Sequence, residues 1–259
     1  GYQPQLERVW RPRDFNGQYF GPSRLREALI KSMNSVTIRM LQSIGVPTAR
    51  SHVKRFGFDD EAAPNDLSMA LGAGEVAPLT TAAGYATFGN GGYKVTPYFI
   101  DRVVTADGEV LYAAEPLYCP ECNTPPETPV QLEPEEPELV ADAIELYPKQ
   151  RAASRIISPQ NAYLIGDMMW DNVRRGSGAA ARRHLGRNDL AGKTGTTNDG
   201  RDLWFVGFNA NIVGASWVGF DQPRPLGRYE QGASAALPMW IGFMREALAD
   251  TVEQRPKRP

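Results

Sequence analysis

One lysine stands among glycines and hydroxyls in the stretch "LAGKTGTTNDG", Leu190 to Gly200. Three chemistries fit such residues: a phosphate loop, one wall of an acyl-transfer site, or a turn rich in small side chains. A phosphate loop needs two glycines with four residues between them, then Lys and Ser/Thr. Here Gly186 and Gly192 have five residues between them, and a strand-like run rather than a helix follows. The helix N-terminus that would help hold a phosphate is absent from that pattern.

Acyl transfer makes better use of the same residues. On an edge strand, Gly195 would leave room for an extended substrate to pair with the backbone. The N–H of Thr196 would meet a carbonyl oxygen as it becomes an oxyanion, and one such donor is worth about 10²–10³ in rate. The hydroxyls of Thr196 and Thr197 would hold a carboxylate. Lys193 would supply positive charge and orient a neighbouring hydroxyl. A second short motif, "SMN", offers that hydroxyl: Ser32 and Asn34 project from one turn. Ser32 can relay a proton to a leaving amine, and the Asn34 amide can grip a peptide by its donor and its acceptor. The structural alternative is that Asn34 caps the helix that follows.

The set resembles a known family. β-Lactam-recognising serine acyltransferases carry Ser-x-x-Lys, Ser-x-Asn and Lys-Thr-Gly in that chain order. Four stretches are similar to the transpeptidase domain of class A, bifunctional penicillin-binding proteins: "GPSRLREALIKSMN", "SMALGAGEVAPLTTAAGYATFGNGGY", "GDMMWDNVRRGSG" and "LAGKTGTTNDGRDLWFVGFNANIVGASWVGFD". The resemblance implies an α/β fold of the α+β type, with an antiparallel five-stranded sheet flanked by helices. The implied reaction cross-links peptidoglycan stem peptides: D-Ala-D-Ala is cleaved and the acyl group passes to an amine. The implied partners are stem peptides and β-lactam antibiotics, and no cofactor or metal is implied. Ser32, Asn34 and Lys193 map onto the catalytic motifs, and Thr194, Gly195, Thr196 and Thr197 onto the substrate-binding wall. A D,D-carboxypeptidase or β-lactamase type of hydrolase, or a non-catalytic scaffold module, is the alternative.

One motif departs from that order. The family nucleophile is the Ser of Ser-x-x-Lys, and it should precede Ser32. The 31 residues before Ser32 contain one serine, Ser23, with no Lys three residues on. "SHVK", Ser51 to Lys54, matches the string but lies after "SMN" and has a His inside it. The expectation is therefore residues 1–259 as part of a transpeptidase domain, inactive alone. Its nucleophile segment, glycosyltransferase domain and membrane anchor would lie upstream, placing the complete protein at the periplasmic face of the inner membrane.

The elements that must position these residues follow from periodicity and punctuation. "SRLREALIKS" predicts a helix capped by Ser23, with Leu25, Ala28 and Leu29 on one face. "NSVTIRMLQSIG" predicts a second that Gly45 ends, and "TARSHVKRFG" a third that ends at Gly57. Pro78 opens a helix that "GNGG" stops. "YFIDRVVTADGEVLYA" predicts a hairpin around Asp107-Gly108. Ser158 and Pro159 open a long helix with Arg174 and Arg175 in its last turn. Strands follow around Lys193, at 203–208 and at 211–218, and "SAALPMWIGFMREAL" predicts a closing helix. Helices at both ends of hairpin-linked strands argue for an antiparallel sheet covered by helices.

From Ala113 to Pro148 the chain holds nine acidic residues, eight prolines and no Lys or Arg. Such a composition buries little, so 113–150 reads as a solvated insertion. Cys119 and Cys122 form a lone Cys-x-x-Cys within it; a local disulfide is expected if the domain faces the periplasm, a free thiol pair otherwise. His52 and His184 have no carboxylate at a telling spacing. Arg174, Arg175, Arg182, Arg183 and Arg187 read as helix-end charge, with substrate steering the alternative. The net charge of -2 gives no reason to expect a nucleic acid. Leu203 to Phe220 is uncharged over 18 residues, yet its glycines and "NAN" favour two buried strands over a membrane helix. Trp204, Phe205, Phe208 and Trp217 read as core.

Overall fold

The computed structural model describes residues 12, 14, 17, 20–118, 151–256, 258 and 259. Most of the acidic insertion, with Cys119 and Cys122, lies outside the described residues. The chain opens with three short helices, α1 (Leu25–Ile30), α2 (Asn34–Ile44) and α3 (Val46–Lys54). Gly45 ends α2 at φ 89°, as its position predicts. Ser23 does not cap α1. Arg24 occupies the cap position in extended backbone, and Ser23 donates back to the Gly21 carbonyl at 3.2 Å. The buried face of α1 also differs from its period: Ala28 and Ile30 are buried while Leu25 is 53% exposed. Six residues give fewer than two turns, so docking rather than amphipathicity sets which side faces inward.

Pro78 opens α4 (Pro78–Gly89), which stops at Asn90 before the two glycines. The hairpin β1 (Arg102–Val104) and β2 (Val110–Ala113) forms around Gly108, at φ 87°. Two further short strands, β3 (Leu117–Tyr118) and β4 (Arg151–Ala152), pair in parallel and bring Leu117 beside Arg151. Ser158 accepts the Asn161 N–H at 3.2 Å to cap α5 (Pro159–Arg175), with Pro159 at its first position. Then come α6 (Ala179–Leu185), β5 (Ala191–Thr196), β6 (Leu203–Phe208), β7 (Val213–Val218) and α7 (Leu237–Ala247).

β5, β6 and β7 form one antiparallel sheet, with Lys193 opposite Val206 and Trp204 opposite Trp217. The expected sheet of five strands is a sheet of three among the described residues. β1 and β2 do not extend it: they pair with each other and are exposed along their whole length. On one side of the sheet Leu203 and Phe205 pack with Leu237, Trp240 and Met244 of α7 and with Ala181 of α6. On the other, Ala191 and Phe208 pack with Met169 and Ile165 of α5 and with Tyr85 and Phe88 of α4. Phe205 and Phe208 are fully buried, each worth about 1.5–3 kcal/mol of transfer free energy.

Trp204 and Trp217 are only half-buried. The helices on their side of the sheet cover Ala191, Phe208 and Val213, at the opposite end of the strands. The two indoles meet at a tilt of 42° with centroids 6.2 Å apart, and Trp217 donates to Asp202 at 3.1 Å. The uncharged run Leu203 to Phe220 is β6 and β7, as its glycines predict. Among the described residues no helix is long and apolar enough to cross a membrane.

Candidate active site

Ser32 is placed by the docking of α1 on α5. Arg26 reaches Asp167 at 2.7 Å and Asp171 at 2.9 Å, while Arg175 answers from α5 with Glu27 at 2.7 Å and Asp171 at 3.3 Å. Charges of alternating sign thus fix the register between the two helices. The last carbonyl of α1, on Ile30, accepts from Asn172 at 3.0 Å. The chain then turns sharply. Ser32 sits at φ 54°, the left-handed region that a non-glycine residue enters at a cost of about 1–3 kcal/mol. Met33 is buried beneath it, and its N–H bonds the Ala28 carbonyl at 2.8 Å. This strained turn lifts Ser32 into solvent and starts α2 at Asn34.

Asn34 is the first residue of α2 and not its cap. Met33 holds the cap position without a side-chain bond. The N-terminal end of the helix is served instead by the buried Asp14, which accepts from the Ser35 N–H and the Ser35 hydroxyl, both at 2.9 Å. A carboxylate there also suits the helix dipole. Asn34 lines a cleft of about 1050 Å³.

Lys193 comes from β5, an edge strand of the sheet among the described residues, and donates to Ser32 Oγ at 2.8 Å and to the Thr194 carbonyl at 2.9 Å. Burial pushes its ammonium down from 10.5 to about 8. The hydroxyls of Thr194 and Ser177 lie 2.6 Å apart. A Cβ on Gly195 would stand 3.1 Å from Trp204 Cβ, so tight packing within the sheet is a reason for glycine beside an open strand edge. Thr196 Oγ1 accepts from the Gly232 N–H at 3.0 Å and keeps its own proton to donate. Thr197 is occupied differently: its hydroxyl accepts the Asp202 N–H at 2.8 Å, and its N–H bonds the Asp202 carbonyl at 3.0 Å. It closes the turn into β6, which occupies its hydroxyl.

The cleft runs from Asn34 past Thr196 and Thr197, and its far rim is the loop Gly227 to Gln231. A second pocket of about 330 Å³ is lined by Lys31, Met33 and Ser177, with Glu27 and Arg175. The structure thus gathers Ser32, Asn34, Lys193, Thr194 and Thr196 around neighbouring openings. It leaves Ser51 apart, exposed on α3, where the nearby Lys54 pairs with Asp60 at 2.7 Å. His52 packs against Phe56 at 5.5 Å on that same helix.

Four of the five arginines from Arg174 to Arg187, all but Arg183, have structural partners among the described residues. Arg174 stacks on Trp170 at 4.4 Å, and Arg182 bonds Asn188 at 3.0 Å. Arg187 grips Asp189 at 2.8 Å just before β5. Burial alone would raise the Asp189 carboxyl, but bonds from Arg187, the Gln254 N–H and Asn209 hold it below the usual carboxylate range. This knot ties the entry of β5 to the β6–β7 turn and to the end of the chain.

Sequence reasoning missed Asn172 and Ser177. Both lie in a stretch quoted for its resemblance, yet neither is of a type that announces chemistry. The one visible signal was a serine bracketed by two glycines in "RRGSG".

Residues 5–237 match the penicillin binding protein transpeptidase domain. The chain is 44% identical over 265 aligned residues to penicillin-binding protein 1A of Pseudomonas aeruginosa, covering 95% of this chain and 32% of that protein. It is 41% identical to penicillin-binding protein 1A of Neisseria flavescens, covering 97% of this chain and 28% of that protein. It therefore spans roughly a third or less of the length of these curated relatives. The crystal structure of penicillin-binding protein 1A from Haemophilus influenzae superposes with a TM-score of 0.83 at 34% identity, over all of this chain and 39% of that one. The PonA1 protein from Mycobacterium tuberculosis, in complex with penicillin V, shares the fold at a TM-score of 0.71 and 22% identity, over 95% of this chain and 62% of that one. With Lys193 bonded to Ser32 across the edge of a helix-covered antiparallel sheet, the chain belongs to the penicillin-binding protein transpeptidase domain family.

Proposed function

We propose that this chain supplies the substrate-binding wall of a peptidoglycan D,D-transpeptidase. In the complete domain, a serine nucleophile from an upstream Ser-x-x-Lys segment attacks the carbonyl of the penultimate D-Ala. The terminal D-Ala leaves as an amine, and the amine of a neighbouring stem peptide then takes the acyl group. Ser32 passes the proton to the leaving amine, and Lys193 holds Ser32 and draws in the terminal carboxylate. Thr196 donates its hydroxyl proton to that carboxylate, and Asn34 grips the peptide in the large cleft. A β-lactam enters the same place and acylates the same serine. The whole protein acts at the periplasmic face of the inner membrane.

The observation that carries this reading is the 2.8 Å bond from Lys193 Nζ to Ser32 Oγ, between residues 161 apart in sequence. A structural lysine at a strand edge has no need of a strained serine turn from another element. The test is covalent labelling with a fluorescent penicillin. The gene product extended upstream of Gly1 through its Ser-x-x-Lys is expected to label and to lose the label on boiling with hydroxylamine. The 259-residue chain alone is expected to stay unlabelled. Labelling of the short chain would sink the assignment of the nucleophile to an upstream segment.

A further inference from the structure

Asn172 on α5 is fully buried, and its amide is used at both ends. Nδ2 donates to the Ile30 carbonyl at 3.0 Å and to Ser177 Oγ at 3.2 Å. Oδ1 accepts from the Gly178 N–H at 3.2 Å. The two glycines that bracket Ser177 are pressed against this amide. A Cβ on Gly176 would stand 2.6 Å from Nδ2, and one on Gly178 would stand 2.9 Å from Oδ1. The Gly-Ser-Gly loop is therefore moulded onto Asn172, and Ser177 Oγ emerges from it 2.6 Å from Thr194 Oγ1.

What each group can donate or accept fixes one of these bonds and limits the other. A side-chain amide nitrogen only donates, so Ser177 Oγ accepts from Asn172. Ser177 keeps its single proton and one lone pair for Thr194 Oγ1, so the pair has two possible directions. With Ser177 as donor, Thr194 accepts, and its own proton is left for a ligand at the edge of β5. Reversed, Thr194 would spend its proton on Ser177 and turn lone pairs toward the ligand. A carboxylate is an acceptor only, so the two directions have opposite consequences for a substrate that ends in one.

We propose that Ser177, held by Asn172, is a positioning residue that aims the Thr194 hydroxyl proton at the substrate carboxylate. This rests on the transpeptidase reading above. Lys193 provides the charge, and the Asn172–Ser177–Thr194 chain provides a directed donor. Such a chain polarises along its length, because each donated bond strengthens the next. Removing Ser177 leaves the Thr194 rotor without a fixed partner and costs part of one hydrogen bond to a charged group.

The test uses the complete gene product and two acylating ligands: a penicillin with its free carboxylate, and the same penicillin as its methyl ester. The Ser177→Ala variant is expected to acylate about tenfold more slowly with the free acid, on the scale of one charged hydrogen bond. Its rate with the ester is expected to change by less than about twofold, because an ester offers no charge for that bond to serve. Ser177→Thr, which keeps the hydroxyl, is expected to restore the rate with the free acid. A thermal unfolding curve on each variant accompanies the rates. Equal slowing with both ligands, or slowing with neither, overturns the proposal, as does a Thr variant that behaves like Ala. Wild-type protein that the free acid fails to acylate would instead overturn the functional reading beneath it.

Discussion

Lys193 is the group whose behaviour most directly tests the site. Its ammonium is held down at about 8 by burial, against an ordinary 10.5. At pH 7 about nine-tenths of it is charged, and at pH 9 about one-tenth, from the titration curve of one group. A carboxylate ligand is attracted by the charged form alone. Acylation by an anionic β-lactam is therefore expected to fall by about tenfold from pH 7 to pH 9, through a midpoint near 8. Arginine stays charged over this range, so Lys193→Arg is expected to remove that limb even if its absolute rate is lower.

Two measurements check this. The first is the pH profile of acylation in the complete gene product, wild type against Lys193→Arg. The second is direct: side-chain lysine NMR on the folded chain, expected to show one Nζ titrating near 8 that is missing in Lys193→Gln. The same shift has a consequence for stability. Between pH 8 and 10.5 the unfolded chain binds more protons at Lys193 than the folded chain, so stability rises with pH across that window. The difference in unfolding free energy between wild type and Lys193→Gln is expected to move in favour of wild type as pH climbs through it. A lysine midpoint at 10 or above, or an alkaline limb that persists unchanged in Lys193→Arg, would refute the reasoning.

Two structural substitutions test how the site is held. Asn172→Ala strips the Ile30 carbonyl and the Gly178 N–H of their partner in a fully buried place, and is expected to cost about 2–4 kcal/mol in denaturant unfolding. A loss below about 1 kcal/mol would mean that these groups find other partners. Gly232→Ala would drive a Cβ into the carbonyl oxygens of Trp204 and Gly195, and is expected to cost about 1–3 kcal/mol while breaking the Gly232–Thr196 bond. An Ala variant as stable as wild type would show that the segment before α7 is not tied to β5.

Much of the fold was legible because the signals that made it are local. Pro78, Ser158 with Pro159, and Gly45 act on their immediate neighbours, and each starts or stops a helix where its chemistry requires. Trp204 and Trp217 defeated the same reasoning because burial is not local. Their fate depends on where α4 and α5 end, several strand residues away. Ser23 failed as a cap because the backbone is extended at Arg24 and α1 begins one residue later than a cap at Ser23 requires. The five-stranded expectation came from resemblance rather than from strand signals; among the described residues three runs make the sheet.

The candidate site divides in the same way. Lys193 and Ser32 were found because their motifs resemble those of a family, while their meeting depends on the docking of α1 and could not be read from spacing. The residues that arrange that docking are of ordinary types. Arg26, Asp167 and Asp171 look like any charged helix surface, and Asn172 looks like a polar residue that should face solvent. A reacting group must be of a reactive type, so sequence can propose it. A supporting group need only match the geometry of its partner, so its identity is set by a distance that sequence does not contain. The Gly-Ser-Gly loop is the intermediate case. Two glycines bracketing a serine record the close approach to Asn172, although the helix residue that demands it lies four to six positions earlier. Where small residues flank a hydroxyl without a turn to explain them, the buried partner that forces them small is the place to look for the rest of a site.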